Sequence, residues 1–195
     1  MIMRMVLAAF VAVALTACDD PSYSASAKSD AANDAPSVSE LNRPDTNVFD
    51  PELMRVVLWG DRIIVETAGH ASLLKLDASS QQQVERAFAS FGEAERSDGP
   101  GDCPAGPLNF LEYPNRLKLA FQDGKFVGFW ADERSVGVAT PGGVKPGSPR
   151  TALGNAPHQE TSFGKLVIVD GAFAILDEAE KRVTDIYAGA ACIYD

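Results

Sequence analysis

Apolar positions along the chain fall into three regimes. From Met5 to Leu15 they are contiguous, and from Asp19 to about Asn47 large apolar side chains almost vanish among Ser, Ala, Asp and Pro. From Val48 onward they return in short blocks separated by Gly, Pro, Asn and Asp. The first run is too short to span a bilayer, which takes ~20 apolar residues, and it ends in small residues as secretory signals do. The second stretch cannot bury enough surface to offset the entropy of ordering it, and reads as a flexible tether over 18–47. Folding is therefore expected over 48–195.

Within that part, Met54–Trp59 and Ile63–Glu66 read as strands around Gly60-Asp61, with a short strand over Leu73–Leu76. Ser80 and Gln83 fit a capping box. Val84, Ala87, Phe88 and Phe91 recur on one face before Gly92, which predicts a helix over Ser80–Phe91. Glu93–Gly106 reads as an acidic loop rich in Gly and Pro. Strands follow at Leu108–Tyr113, Leu117–Phe121 and Phe126–Trp130, the last two joined by an Asp123-Gly124 hairpin turn. Strict alternation places Phe126, Gly128 and Trp130 on one face, and Val127 and Phe129 on the other.

Thr140–Gly147, dense in Gly and Pro, reads as a linker. A short helix is expected from Ser148-Pro149 to Leu153-Gly154. Strands are expected at Leu166–Val169, Phe173–Leu176, Val183–Tyr187 and Ala191–Tyr194. A strand, an Asp-Gly turn and a Phe two residues later occur both in 117–126 and in 166–173. The expected fold is thus α+β: two related helix-plus-antiparallel-sheet units, 48–139 and a shorter 140–195, after a signal peptide (1–17) and a disordered tether (18–47).

Leu15-Thr16-Ala17-Cys18 resembles the lipobox of bacterial lipoproteins. The resemblance implies removal of Met1–Ala17, a diacylglycerol on the Cys18 sulfur and an acyl chain on its amino group. At ~0.8 kcal/mol per buried methylene, two or three chains hold a protein at a membrane. The mature chain would then face the periplasm, with Asp19-Asp20 slightly favouring the inner membrane. A membrane, reached through Cys18, is the first expected partner. The net charge of −10 and the lack of a basic patch oppose nucleic acid as another.

With Cys18 lipidated, Cys103 and Cys192 remain, and two lone thiols outside the cytoplasm usually become one disulfide. A reactive thiol or metal pair is the alternative, although neither cysteine lies in a Cys-x-x-Cys spacing or near a histidine. No catalytic, cofactor or metal motif stands out. His70 and His158 lie in expected loops, and Ser72 lacks a Gly-x-Ser-x-Gly elbow. Asp132-Glu133 and Asp177-Glu178-Glu180 lack the alternating oxygen ligands of a calcium loop. Trp59, Phe129 and Trp130 are candidates for core or for a recognition patch. Because Phe129 and Trp130 point to opposite faces of one strand, one of the two is expected to be exposed as a binding surface.

The run from Cys103-Pro-Ala-Gly-Pro through Phe121-Gln-Asp-Gly-Lys-Phe-Val-Gly128, with the closing Ala188-Gly-Ala-Ala-Cys192, resembles a group of uncharacterised alphaproteobacterial envelope lipoproteins. That resemblance implies a shared fold and a Cys103–Cys192 disulfide. A looser likeness, at Gly147–Pro157, is to small outer-membrane assembly lipoproteins and to the tandem units of β-lactamase inhibitory proteins. The function expected is a non-enzymatic binding or envelope-interaction module with a periplasmic protein partner. The alternatives are a small hydrolase whose site assembles from scattered residues, or an enzyme inhibitor using Glu93–Gly106 as a protruding loop.

Overall fold

The computed structural model describes residues 53–101, 103–162, 164–190 and 192. The signal segment, Cys18, the tether and, apart from Cys192, the strand expected at Ala191–Tyr194 lie outside the described residues. Among those described, a four-stranded sheet is built from β1 (Arg55–Leu58), β2 (Arg62–Thr67), β3 (His70–Lys75) and β8 (Val138–Ala139), in the order β3-β2-β1-β8. An eight-stranded sheet takes β4 (Glu95–Asp98), β5 (Asn109–Glu112), β6 (Lys118–Gln122), β7 (Lys125–Ala131), β9 (His158–Thr161), β10 (Gly164–Val169), β11 (Ala172–Leu176) and β12 (Val183–Gly189). Its order is β4-β5-β6-β7-β12-β11-β10-β9, antiparallel throughout; β8 alone runs parallel to its neighbour, β1.

Alternation explains the core. Val56, Leu58, Ile63, Val65 and Leu74 point inward from the small sheet and are buried, whereas Val57 and Ile64 on its other face are half-buried. The inward set shares one core with Leu119, Phe121, Phe126 and Phe129 of β6 and β7 and with Ala174, Leu176, Ile186 and Ala188 of β11 and β12. The helix α1 (Gln81–Ala87) starts at the expected capping box: Gln83 N–H donates to Ser80 Oγ at 3.3 Å, and Ser80 N–H to Gln83 Oε1 at 2.7 Å. Its last turn tightens to a 3₁₀ turn at Ala89–Phe91, which Gly92 ends with φ +97°. Val84, Phe88 and Phe91 are thereby seated in the core, where Phe88 stacks on Tyr113 at 4.5 Å. The two sheets also meet at a backbone contact that only glycine permits. A Cβ at Gly60, between β1 and β2, would stand 2.0 Å from the Gly171 carbonyl oxygen.

The expectation of two helix-plus-sheet units is overturned. Of the described residues 46% are strand and 10% helical, with a single α-helix. The predicted second helix shrinks to a 3₁₀ turn, Arg150–Leu153, whose one buried side chain is Leu153. It has no apolar stripe with which to cover a sheet. Strands from both halves instead join edge to edge, β7 pairing β12 from Ala131↔Ile186 to Gly128↔Gly189. The Asp-Gly repetition is turn chemistry. Asp123-Gly124 (φ 50°, 73°) and Asp170-Gly171 (φ 50°, 82°) both have the positive φ pair of a type I′ hairpin. The hairpin β6–β7 reaches the middle of the sheet, however, while β10–β11 lies one strand farther out.

Two expected loops change character as well. Thr140–Gly147 is a tight turn in which Thr140 N–H donates to the Val144 carbonyl at 2.7 Å, and Val144 is 2% exposed. Four residues of Glu93–Gly106, Glu95–Asp98, become the edge strand β4. This strand and β9, the opposite edge, carry polar side chains on both faces; each pairs with its neighbour through the backbone, with a Lys165–Glu160 ion pair at 3.3 Å added across β9 and β10. No apolar alternation marks either one.

Burial pushes the Tyr113 hydroxyl pKa up to about 12, helped by the nearby Glu85 carboxylate. Between the ordinary tyrosine value of about 10 and that pH, the unfolded chain releases the proton and the folded chain retains it. This part of the stability is full below pH 10 and falls by roughly 2–3 kcal/mol on the way to pH 12. Chemical denaturation of the wild type should show that loss. Tyr113→Phe should lack this increment, and an identical alkaline slope in the two proteins would refute the assignment.

Candidate functional site

The candidate surface is the face of the eight-stranded sheet turned away from the core. Register places Lys118 (β6), Trp130 (β7), Tyr187 (β12), Phe173 (β11) and Ile168 (β10) in one cross-strand row. Trp130 and Tyr187 stack at 5.9 Å and 25°, and Tyr187 and Phe173 at 5.2 Å and 26°. Such short separations between nearly parallel planes are those of offset stacking, so the rings stand on the sheet as a continuous ridge. Beyond them Ile168 is 66% exposed.

A bulge decides which side chains reach this face. Ala120 pairs Gly128 and Phe121 pairs Phe126, which leaves Val127 as the extra residue of β7. Phe126 is therefore turned inward, 5.9 Å from Phe121, against the strict alternation expected from sequence. Val127 points outward and packs with Leu108, Ala120 and Cys103. Of the expected pair, Phe129 is core at 1% exposure and leaves the candidate surface. Trp130 is half-buried on the outer face.

Cys103 and Cys192 are joined by a disulfide, their Cα atoms 5.6 Å apart and 89 positions apart in sequence. The chain leading to Cys192 crosses the outer face closely. Ala190 N–H donates to the Val127 carbonyl at 2.9 Å, and a Cβ on Gly128 would lie 2.6 Å from the Ala190 oxygen. The disulfide thus clamps two loops over the small outer cluster and leaves the aromatic ridge beside it uncovered among the described residues.

Between clamp and ridge lies a depression of about 400 Å³, walled by Pro100, Phe110 and Cys192 on one side and Trp130 on the other. Among the described residues three cations and three carboxylates complete its lining. Arg116 pairs with Glu112 at 2.7 Å, and Arg134 Nε donates to Asp132 Oδ2 at 2.9 Å. Burial raises the Asp132 pKa, but hydrogen bonds from the Arg134 side chain and backbone outweigh it and hold the carboxyl below its usual range. Trp130 Nε1 donates to Asp185 Oδ1 at 2.8 Å, which fixes the indole. Lys118 Nζ is 3.8 Å from Glu112 and 5.8 Å from the Phe110 ring centroid. Such an arrangement can hold a charged ligand against a flat apolar wall.

The remaining sequence candidates are not drawn into this site. His70 opens β3 in the small sheet, and His158 opens β9 in the large one, 3.8 Å from Glu160. Ser72 lies within β3. Asp177 Oδ1 accepts from Lys181 N–H at 2.6 Å as part of a turn, and Glu180 pairs with Lys165. Trp59 is half-buried with the Arg62 guanidinium 4.6 Å from its ring. Sequence reasoning missed Tyr187, Phe173, Lys118 and Asp185. Period-2 alternation marks one face of each strand, but no local signal says that β7 and β12 lie side by side. Compared with known protein families, curated proteins and solved structures, the chain matches none.

Proposed function

We propose that this chain is a non-enzymatic binding module of the cell envelope, held at a membrane through Cys18, that engages a protein partner with the ridge Trp130–Tyr187–Phe173–Ile168. The observation that carries this reading is the uncovered stacked row ending in Ile168, 66% exposed. Exposed contiguous apolar surface of this kind marks interaction sites, and aromatic residues are enriched where interfaces bury most. Binding is also favoured over hydrolysis by the neighbouring depression, whose arginines are committed to carboxylates and whose lining, among the described residues, has no hydroxyl or imidazole. Two features support the envelope address: the spacing of Leu15-Thr16-Ala17-Cys18 after an apolar run, and the Cys103–Cys192 disulfide, which suits an oxidising compartment.

In-cell crosslinking followed by capture from native membranes tests the ridge. The wild type should yield one dominant partner, and Ile168→Asp should lose it while keeping the wild-type circular dichroism and unfolding midpoint. Equal capture by both proteins overturns the assignment of this face. For the anchor, Cys18→Ser should move the protein from the membrane to the soluble fraction. An unchanged membrane fraction would sink it.

A further inference from the structure

We infer that the depression beside Trp130 binds a small zwitterion, of amino-acid to dipeptide size and with a flat apolar body, whose cationic group meets Asp185 and whose anionic group meets Lys118. The charge pairing in the depression carries this inference. Arg116 is committed to Glu112 and Arg134 to Asp132, so two of the three cations and two of the three carboxylates are already matched. Asp185 accepts one hydrogen bond, from the neutral indole of Trp130, and has no cation within ion-pair distance among the described residues. Among the described residues the one ion pair of Lys118 is with Glu112, at 3.8 Å, and that carboxylate is held more closely by Arg116 at 2.7 Å. One positive and one negative group are therefore left over, and they flank the same ring.

Their placement suits one molecule better than two. Lys118 is the register partner of Trp130 on β6, and Asp185 lies on β12, the strand on the other side of β7. Backbones two strands apart are separated by about 10 Å; Asp185 reaches the indole, and Lys118 extends toward Glu112 and Phe110 at the far wall of the depression. An extended dipeptide spans roughly 7 Å, and the long Lys118 side chain covers the rest of the separation. Tyr187 covers one side of the indole, so the side toward Lys118 borders the depression and offers the apolar wall. A purely cationic ligand would satisfy Asp185 and meet Lys118 as a like charge. A purely anionic one would do the reverse. The depression shares Trp130 with the ridge, but Tyr187, Phe173 and Ile168 do not line it, and the inference does not depend on the partner-docking reading.

Glycyl-phenylalanine, N-acetyl-glycyl-phenylalanine and glycyl-phenylalaninamide, titrated against the full-length protein, test it. The readout is the indole N–H resonance of Trp130 in ¹⁵N spectra, with Trp59, the other tryptophan of the chain, as internal control. The free dipeptide should shift the Trp130 resonance saturably and leave Trp59 in place. Blocking either end should weaken binding by about tenfold, as expected for losing one charge-assisted contact. Asp185→Asn, which retains an acceptor for the indole, should erase discrimination against the acetylated peptide only. Lys118→Met should erase discrimination against the amide only. Ile168→Asp should leave all three titrations unchanged, which separates failure here from failure of the docking ridge. Equal affinity for the three peptides, or no saturable Trp130 shift up to about 10 mM free dipeptide, overturns the proposal.

Discussion

Replacing both Cys103 and Cys192 with serine should lower the free energy of unfolding by about 4–5 kcal/mol, the chain-entropy value for releasing a loop of this length. The pair is 89 positions apart, so the bridge removes from the unfolded ensemble most of the freedom of the segment that contains β5 to β12. The folded state contributes as well. Cys103 is 7% exposed and packs on Leu108, Ala120 and Val127, a cluster separate from the main core, so serine there places a hydroxyl among apolar groups. Urea unfolding of the oxidised wild type and the double-serine variant measures the difference directly. The variant should also show a larger m-value, because its unfolded chain exposes more surface. A loss below about 1 kcal/mol would mean that the clamp contributes little beyond its local cluster. The effect should extend to the candidate site. Pro100 and Cys192 wall the depression beside Trp130, and releasing them should weaken ligand retention there without altering the Trp130–Tyr187 stack.

Phe129→Ala should cost about 3–5 kcal/mol, while its neighbour Trp130→Ala should cost no more than about 2 kcal/mol. Phe129 is 1% exposed between Leu119 of β6 and Ala188 of β12, and its removal leaves a cavity at the seam joining the two halves of the large sheet. Trp130 is half-buried, and its loss removes one stacking partner and one hydrogen bond at a face that water can reach. Binding should show the opposite order. Trp130→Ala should abolish the interactions assigned to the outer face in a protein that remains folded. Phe129→Ala should retain them at temperatures where it is folded. Paired thermal unfolding and binding measurements on the two variants separate the roles, and equal stability losses would contradict the assignment of their faces.

That division shows where local information ends. Alternation along 126–130 correctly puts Phe129 and Trp130 on opposite faces, because a strand's side-chain period is 2 whatever lies beside it. Alternation alone does not say which face is inward, and it misplaces Phe126, since the bulge at Val127 inserts a residue and shifts the phase. The capping box of Ser80 and Gln83 was legible because its hydrogen bonds close within four residues. Both Asp-Gly turns were legible because the backbone conformation they need is set by those two residues. The cysteine pair was legible from counting, once the lipobox resemblance set Cys18 aside. In contrast β4 and β9, Glu-Arg-Ser-Asp and His-Gln-Glu-Thr, are strands by virtue of their neighbours' backbones and carry no apolar pattern. The second helix was predicted from cap residues that were present, but the stretch between them has no stripe to bury.

The candidate site was less legible than the fold, since of its residues Asp132 and Cys192 were singled out for other reasons and only Trp130 as a binding surface. Tyr187 and Phe173 are ordinary strand aromatics until register sets them beside it. Lys118 and Asp185 acquire their significance from what their neighbours leave unpaired. Sequence by itself determined the apolar strands, the capped helix, the turns that close hairpins and the cysteine pair. Tertiary structure decided which strands are neighbours, and with that the single eight-stranded sheet, the bulge, the aromatic ridge and the charge left over beside Trp130. Backbone hydrogen bonds between strands are chemically the same for every residue except proline. A strand's own sequence therefore specifies its faces far more strongly than its partner, and the partner is chosen by the packing of the whole core.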